Sequence, residues 1–238
     1  QATNTLTITT DANFEGGKVL VHATDGNHVA TVELTITKEV ITYIEYEATE
    51  EISPFKSDGT PIFGGKDVSF LKDKSTFSEG KGKWAYTGEV TYVSAFAFTK
   101  NKTLKSITLP ESINDIGYSV YGQGGSAFED CTALESIVIK GNITTIRVRT
   151  FYGCSSLKSI TLPESLTIIE YNAFLRCEAL TEIVIPDAVT TIEKQVFSQC
   201  TSLTTATIGS SVTTALIVVL MNVINWQQSF VRVKIRQH

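Results

Sequence analysis

Residues 151–173, FYGCSSLKSITLPESLTIIEYNA, are followed at residues 174–196 by FLRCEALTEIVIPDAVTTIEKQV. Laid one under the other, the two stretches agree in residue type at Phe151 and Phe174, Cys154 and Cys177, Leu157 and Leu180, Ile160 and Ile183, Pro163 and Pro186, Ile169 and Ile192. The same step of 23 residues runs through Cys131, Cys154, Cys177 and Cys200, through Phe128, Phe151, Phe174 and Phe197, and through Leu134, Leu157, Leu180 and Leu203. A fourth series, Ile137, Ile160 and Ile183, ends at Ala206. A fixed period of this length marks a solenoid, in which each unit buries its apolar side chains only against its neighbours. Upstream, Phe98, Leu104, Ile107, Leu109, Ile113 and Ile116 keep the register if 7 extra residues are allowed in the Tyr118 to Ser126 stretch. Downstream, the next step lands on Leu220, Val223 and Trp226, apolar but changed in type, as expected of a terminal cap.

Within one unit, Leu157 to Leu162 alternates apolar and polar before Pro163, which reads as a short strand ended by a residue that cannot donate to a ladder. A β-branched run, Leu166 to Ile169, follows a Pro-Glu-Ser turn, and Glu170 to Cys177 then makes a compact bend. Only parallel, in-register stacking turns every repeated Leu, Ile, Phe and Cys inward. The expected fold is a β-rich repeat solenoid, a horseshoe or coil of 23-residue units. Its strands near 105–109, 135–139, 158–162, 181–185 and 204–208 should form one parallel sheet.

The unit from Ile169 through Ala173, Phe174, Cys177, Leu180, Ile183, Ile185, Pro186 and Val189 to Ile192 resembles the bacterial BspA-type leucine-rich repeat. The likeness covers roughly residues 90 to 215. Asn101 stands where the first cysteine would fall, Lys140 and Gly209 replace the proline, and the family's usual glycine survives as Gly117. The resemblance implies a leucine-rich-repeat fold and a surface adhesin type of function.

Around the repeats, residues 39–89 are expected to be the N-terminal cap of the solenoid and residues 216–238 its C-terminal cap, with 90–215 the repeats themselves. A solenoid end would otherwise expose its core. Residues 1–38 carry three alternating runs, Thr5 to Thr9, Lys18 to Ala23 and Ala30 to Ile36, joined by glycine-containing turns. The fold thus begins with an all-β segment, which resembles the closing half of a bacterial immunoglobulin-like domain. With fewer than the about 7 strands of a whole one, it is either part of such a domain or a set of strands that packs on the cap. The run Phe230 to Arg236 reads as a last, charged edge strand that prevents further stacking.

Composition narrows the function. Twenty Lys and Arg against 25 Asp and Glu leave a net charge of -5, so there is no overall basic field for a phosphate backbone, and nucleic acid is not an expected partner. The longest apolar run, Ala215 to Met221, is much shorter than the roughly 20 residues of a transmembrane helix. Met221 is the single methionine, so a processed or trimmed product is expected. The cysteines sit on successive rungs about 4.8 Å apart, a line that cannot close around one tetrahedral metal ion, so free buried thiols are expected and no metal. Gly122-Gln-Gly124-Gly125-Ser-Ala127 imitates a dinucleotide fingerprint but interrupts a repeat instead of opening a long helix, so no cofactor is expected. The histidines are His22, His28 and His238, none within the repeats to orient a nucleophile, and no catalytic residue is assigned.

What remains is a non-enzymatic module binding an extracellular protein or glycan, at the cell surface or secreted, expected as a monomer, with lipid anchoring of a full-length precursor one option. The alternative is a carbohydrate-acting enzyme using carboxylates such as Glu135, Glu164, Glu170, Glu178, Glu182 and Asp187. Alternation along the strands turns outward Ser106 and Thr108, Ser136 and Val138, Ser159 and Thr161, Glu182 and Val184, Thr205 and Thr207. Tyr118 and Tyr121, on the inserted glycine-rich loop, would supply the aromatic anchors that this stripe of small side chains lacks.

Overall fold

A computed structural model describes residues 17–24, 29–36, 40–119, 124–212 and 232–235. The chain divides into two units, Gln1–Val40 and Ile41–His238. In the first, β1 (Gly17–Thr24) and β2 (Val29–Ile36) pair antiparallel from Gly17 with Ile36 to Thr24 with Val29. They occupy the second and third of the alternating runs; the first, Thr5 to Thr9, lies outside the described residues.

The second unit opens with β3 (Thr42–Ala48), β4 (Phe63–Phe70), β5 (Thr76–Ser78) and the long β6 (Lys81–Ser94). These pair antiparallel, β6 lying between β3 and β4. The repeats then contribute one strand per rung: β7 (Leu104–Leu109), with β8 (Asp115–Tyr118) on the second side of that rung, then β9 (Ser136–Ile139) and β10 (Thr145–Ile146). After them come β11 (Ser159–Thr161), β12 (Ile168–Ile169), β13 (Glu182–Val184), β14 (Thr191–Ile192), β15 (Thr205–Ile208) and β16 (Arg232–Ile235). β3 enters the same sheet between β6 and β7, antiparallel to both, so the sheet order is β11-β9-β7-β3-β6-β4.

The five sheet strands expected from the repeats are present, and every pairing among them is parallel. The register is the 23-residue step itself, Ser136 beside Ser159 and Glu182 beside Thr205. They form two ladders rather than one, however, β7-β9-β11 and β13-β15-β16, because β11 and β13 do not pair. At this position of the repeat Lys140 donates its N–H to the Leu109 carbonyl of the preceding rung, whereas Pro186 has no N–H to donate toward β11. The rungs still follow each other, but the Thr181 N–H to Lys158 carbonyl bond stretches to 3.4 Å, against 2.9 Å for Thr204 N–H to the Thr181 carbonyl.

The β-branched run forms a second, narrow parallel sheet, β10-β12-β14, with Ile146, Ile169 and Ile192 buried in register. The bend makes the third side, and it too is hydrogen-bonded from rung to rung. The N–H groups of Phe98, Phe128, Phe151 and Phe174 donate to the carbonyls of Ala127, Thr150, Ala173 and Val196 at 2.7–3.0 Å. All three sides of the coil are therefore hydrogen-bonded from rung to rung, the first side being interrupted between β11 and β13.

Inside, the phenylalanines stack in a column, with centroids 4.9 Å apart from Phe98 to Phe128, then 5.5, 5.2 and 5.5 Å on to Phe197. Phe98 also touches Phe63 and Trp84, which carries the column into the antiparallel strands. Each buried cysteine has a polar task. The Sγ–H of Cys131, Cys154, Cys177 and Cys200 donates to the carbonyl of Phe98, Phe128, Phe151 and Phe174 at 2.9–3.2 Å. Where the ladder begins, Asn101 replaces cysteine and turns its Oδ1 to the N–H groups of Thr103 and Leu104 instead. Gly117, the surviving glycine, has φ +90, and a Cβ there would lie 2.8 Å from the backbone of Gly125.

Candidate binding face

Alternation fixes the outer face of the sheet. Ile107, Ile137, Ile160, Ile183 and Ala206 are buried. Their strand neighbours Ser136, Val138, Ser159, Thr161, Glu182 and Val184 are exposed, and Ser106, Thr108, Thr205 and Thr207 are half-buried. Two of these are apolar on open surface, Val138 at 47% and Val184 at 45% exposure. All ten residues of the expected stripe therefore stand on one face.

The structure lengthens this face beyond the repeats. Glu45 pairs with Thr108 on one side and Lys83 on the other, and Glu47 pairs with Ser106 and Lys81. β5 adds Thr76 beside Lys83 and Ser78 beside Lys81. Two cross-strand rows result. One runs Thr76, Lys83, Glu45, Thr108, Val138, Thr161; the other runs Ser78, Lys81, Glu47, Ser106, Ser136, Ser159. At about 4.8 Å per strand, six strands make a face about 24 Å across. Beyond β13 the register reaches β16, with Arg232 beside Thr205 and Lys234 beside Thr207.

The charged end of the rows is missing from the candidate residues drawn from the repeats. Its signal was present in the alternation of Glu45, Tyr46 and Glu47 and of Lys81, Gly82 and Lys83. These residues precede the first recognisable repeat, and nothing in the sequence says that β3 enters the repeat sheet. Together with Ser106 and Thr108 they line a shallow cavity of about 400 Å³. Beside it the Lys83 ammonium sits 4.6 Å over the ring of Tyr43.

A second cavity, of about 420 Å³, lies where the ladders part, lined by Ser159, Thr161, Leu162, Glu164, Glu182 and Val184 among others. Several carboxylates of the repeats are engaged: Asp115 with Arg147 at 2.7 Å, Glu129 with Arg149, Glu135 with Lys158, Glu170 with the Val148 N–H and Glu193 with the Tyr171 N–H. The hydrogen bond from Lys158 holds the Glu135 carboxyl below its usual range. Glu164 and Glu182 have no such partner among the described residues.

The two loop tyrosines fare differently. Tyr118 is the last residue of β8, its ring 4.2 Å from that of Tyr92 and its carbonyl accepting from the Ala95 N–H, so it belongs to the sheet and not to a loose loop. The insertion continues a strand before it leaves the register, which is why a tyrosine reads equally well as loop or strand. Tyr121 lies outside the described residues.

Inward ladders of Leu, Ile, Phe and Cys beneath an outward strand face, repeated every 23 residues, define a leucine-rich-repeat solenoid. The family model described as BspA type leucine-rich repeat region, in 6 copies, matches residues 82–123 and 122–227, and the chain belongs to that family. Similar solved structures include a leucine-rich repeat protein of T. pallidum, 28% identical over 51% of this chain and 54% of that one, TM-score 0.42. Another is a leucine-rich repeat protein of Eubacterium ventriosum, 26% identical over 52% and 32%, TM-score 0.46. A third, from Bacteroides ovatus, is 21% identical over 85% and 48%, TM-score 0.45. The chain thus spans between a third and about half the length of these proteins. No curated protein matches it. No helix among the described residues is long and apolar enough to cross a membrane.

Proposed function

We propose that this chain is a non-enzymatic binding module of a bacterial cell-surface or secreted protein, and that the outer face of β6, β3, β7, β9 and β11 meets an extracellular protein or glycan. One observation carries the reading: two cross-strand rows remain in register over six strands, with both signs of charge at one end and small hydroxyl side chains along the rest. Small side chains let a partner approach the sheet closely, while Lys81, Lys83, Glu45 and Glu47 provide charges that fix its register. Family membership supports a surface role, and Tyr43 supplies an aromatic side chain beside the rows. Tyr118 packs on Tyr92, near the opposite end of β6 from Lys81 and Lys83, and supplies no anchor to these rows.

The test is binding of the chain to an array of extracellular-matrix proteins, host-surface proteins and glycans. A Lys81→Glu, Lys83→Glu double variant and a Ser136→Arg, Ser159→Arg double variant should each keep the wild-type circular dichroism and lose the captured ligand. Retention of the ligand by both folded variants would remove this face from consideration.

A further inference from the structure

We propose that the cavity between β11 and β13 is a saccharide subsite that takes one neutral hexose unit of a glycan. The proposal rests on the reading of the outer sheet face as the binding surface and names the ligand class of one place on it. The ladder parts here and the cavity opens at the same place, so the concavity is set by the backbone. Its volume, about 420 Å³, falls in the range of roughly 300–1,000 Å³ common for small-ligand sites.

The lining decides the ligand. Glu164 and Glu182, which can only accept hydrogen bonds, face the cavity without a protein partner, so the ligand must bring donors. Ser159 and Thr161 add hydroxyls that donate or accept, and the exposed Val184 adds apolar surface, with Leu162 and Pro186 buried beside it. A hexose presents neighbouring hydroxyl donors, which a carboxylate binds by charge-assisted hydrogen bonds, and a C–H face that packs on apolar side chains. An anion would meet two uncompensated carboxylates. A calcium ion takes 6–8 oxygen ligands, and no group of three or more His, Cys, Asp and Glu side chains comes together among the described residues. Glu182 is also where the outward row changes type, between Ser159 on one rung and Thr205 on the next.

The experiment is saturation-transfer difference NMR on the whole chain with methyl α-mannoside, methyl β-glucoside, methyl β-galactoside and N-acetylglucosamine, with n-butylammonium as a cationic donor. At least one hexose should receive saturation. A Glu164→Gln, Glu182→Gln variant of unchanged circular dichroism should weaken its binding by about tenfold or more, since each charge-assisted bond becomes neutral. A Lys102→Ala variant, exposed ahead of β7 and outside both cavities, should leave it unchanged. No transfer to any hexose, full binding by the Glu164 and Glu182 variant, or transfer to n-butylammonium alone would each overturn the subsite. If no hexose binds but the array ligand is still lost on reversing Lys81 and Lys83, the subsite fails and the broader binding function stands. If hexoses bind as expected while those charge reversals leave array binding intact, the subsite stands and the charged end of the face is not used.

Discussion

Phe174 is fully buried, with rings stacked on both sides of it at 5.2 and 5.5 Å. Phe174→Ala should therefore cost about 3–5 kcal/mol in urea unfolding, the range for emptying a packed aromatic site; an unchanged midpoint would mean that the column contributes nothing. The cysteines make a second case. Burial pushes the Cys131, Cys154 and Cys177 thiols well above their ordinary value of 9.0, and each donates to a phenylalanine carbonyl one rung away. A group whose folded pKa is raised contributes its full stability below the unfolded value and loses it as pH rises through the folded one. The native chain should resist iodoacetamide at pH 8, and stability should fall above about pH 9 as the unfolded thiols ionise. A Cys131→Ser, Cys154→Ser, Cys177→Ser variant keeps the donors without that ionisation and should flatten the alkaline loss. Rapid labelling of the folded chain, or an equal alkaline loss in the variant, would contradict this account of the thiols.

The bend shows what sequence reading reaches and where it stops. Its place between Glu170 and Cys177 is legible, because Ala173 and Phe174 recur and the strand pattern lapses. Its backbone is not. Ser126, Arg149, Asn172 and Gln195 hold one left-handed position in successive rungs, and Asp130, Gly153, Arg176 and Gln199 hold another. Apart from Gly153, Asn172 and Asp130 these residue types carry no signal for positive φ; rung-to-rung hydrogen bonding imposes the conformation over local preference. At Arg176, φ 64, the exposed guanidinium has no partner among the described residues. Left-handed backbone costs an L-residue roughly 1–2 kcal/mol, and glycine adds roughly 0.5–1 kcal/mol of unfolded-state entropy. Arg176→Gly should thus gain about 0.5–1 kcal/mol, with Gly153 as its natural counterpart, whereas Arg176→Val should lose stability. Equal melting temperatures for the two variants would show that the bend does not hold this backbone. The outward stripe was legible for the same reason as the core, strict alternation. The parting of β11 from β13 and the entry of β3 beside β7 were not, since both depend on pairing between segments rather than on pattern within one.

Each rung contacts mainly its neighbours, so the repeats should behave as interchangeable layers whose stability is close to a sum of rung and interface contributions. Removing residues 159–181 joins Lys158 to Glu182, and every ladder stays in phase because the step is 23. Glu182 then stands beside Ser136 where Ser159 had been, and Phe151 still meets a phenylalanine, now Phe197. The shortened chain should keep a β-sheet circular dichroism spectrum and unfold cooperatively at a lower temperature, having lost one layer of core. Removing residues 159–180 instead leaves one extra residue in the coil. Because side chains alternate with period 2, this turns the following strand over and aims Ile183 and Ile185 outward while Glu182 and Val184 face the core. That chain should fail to fold or should bind a hydrophobic dye such as ANS. If the two deletions melted alike, the 23-residue register would not be what holds the coil together.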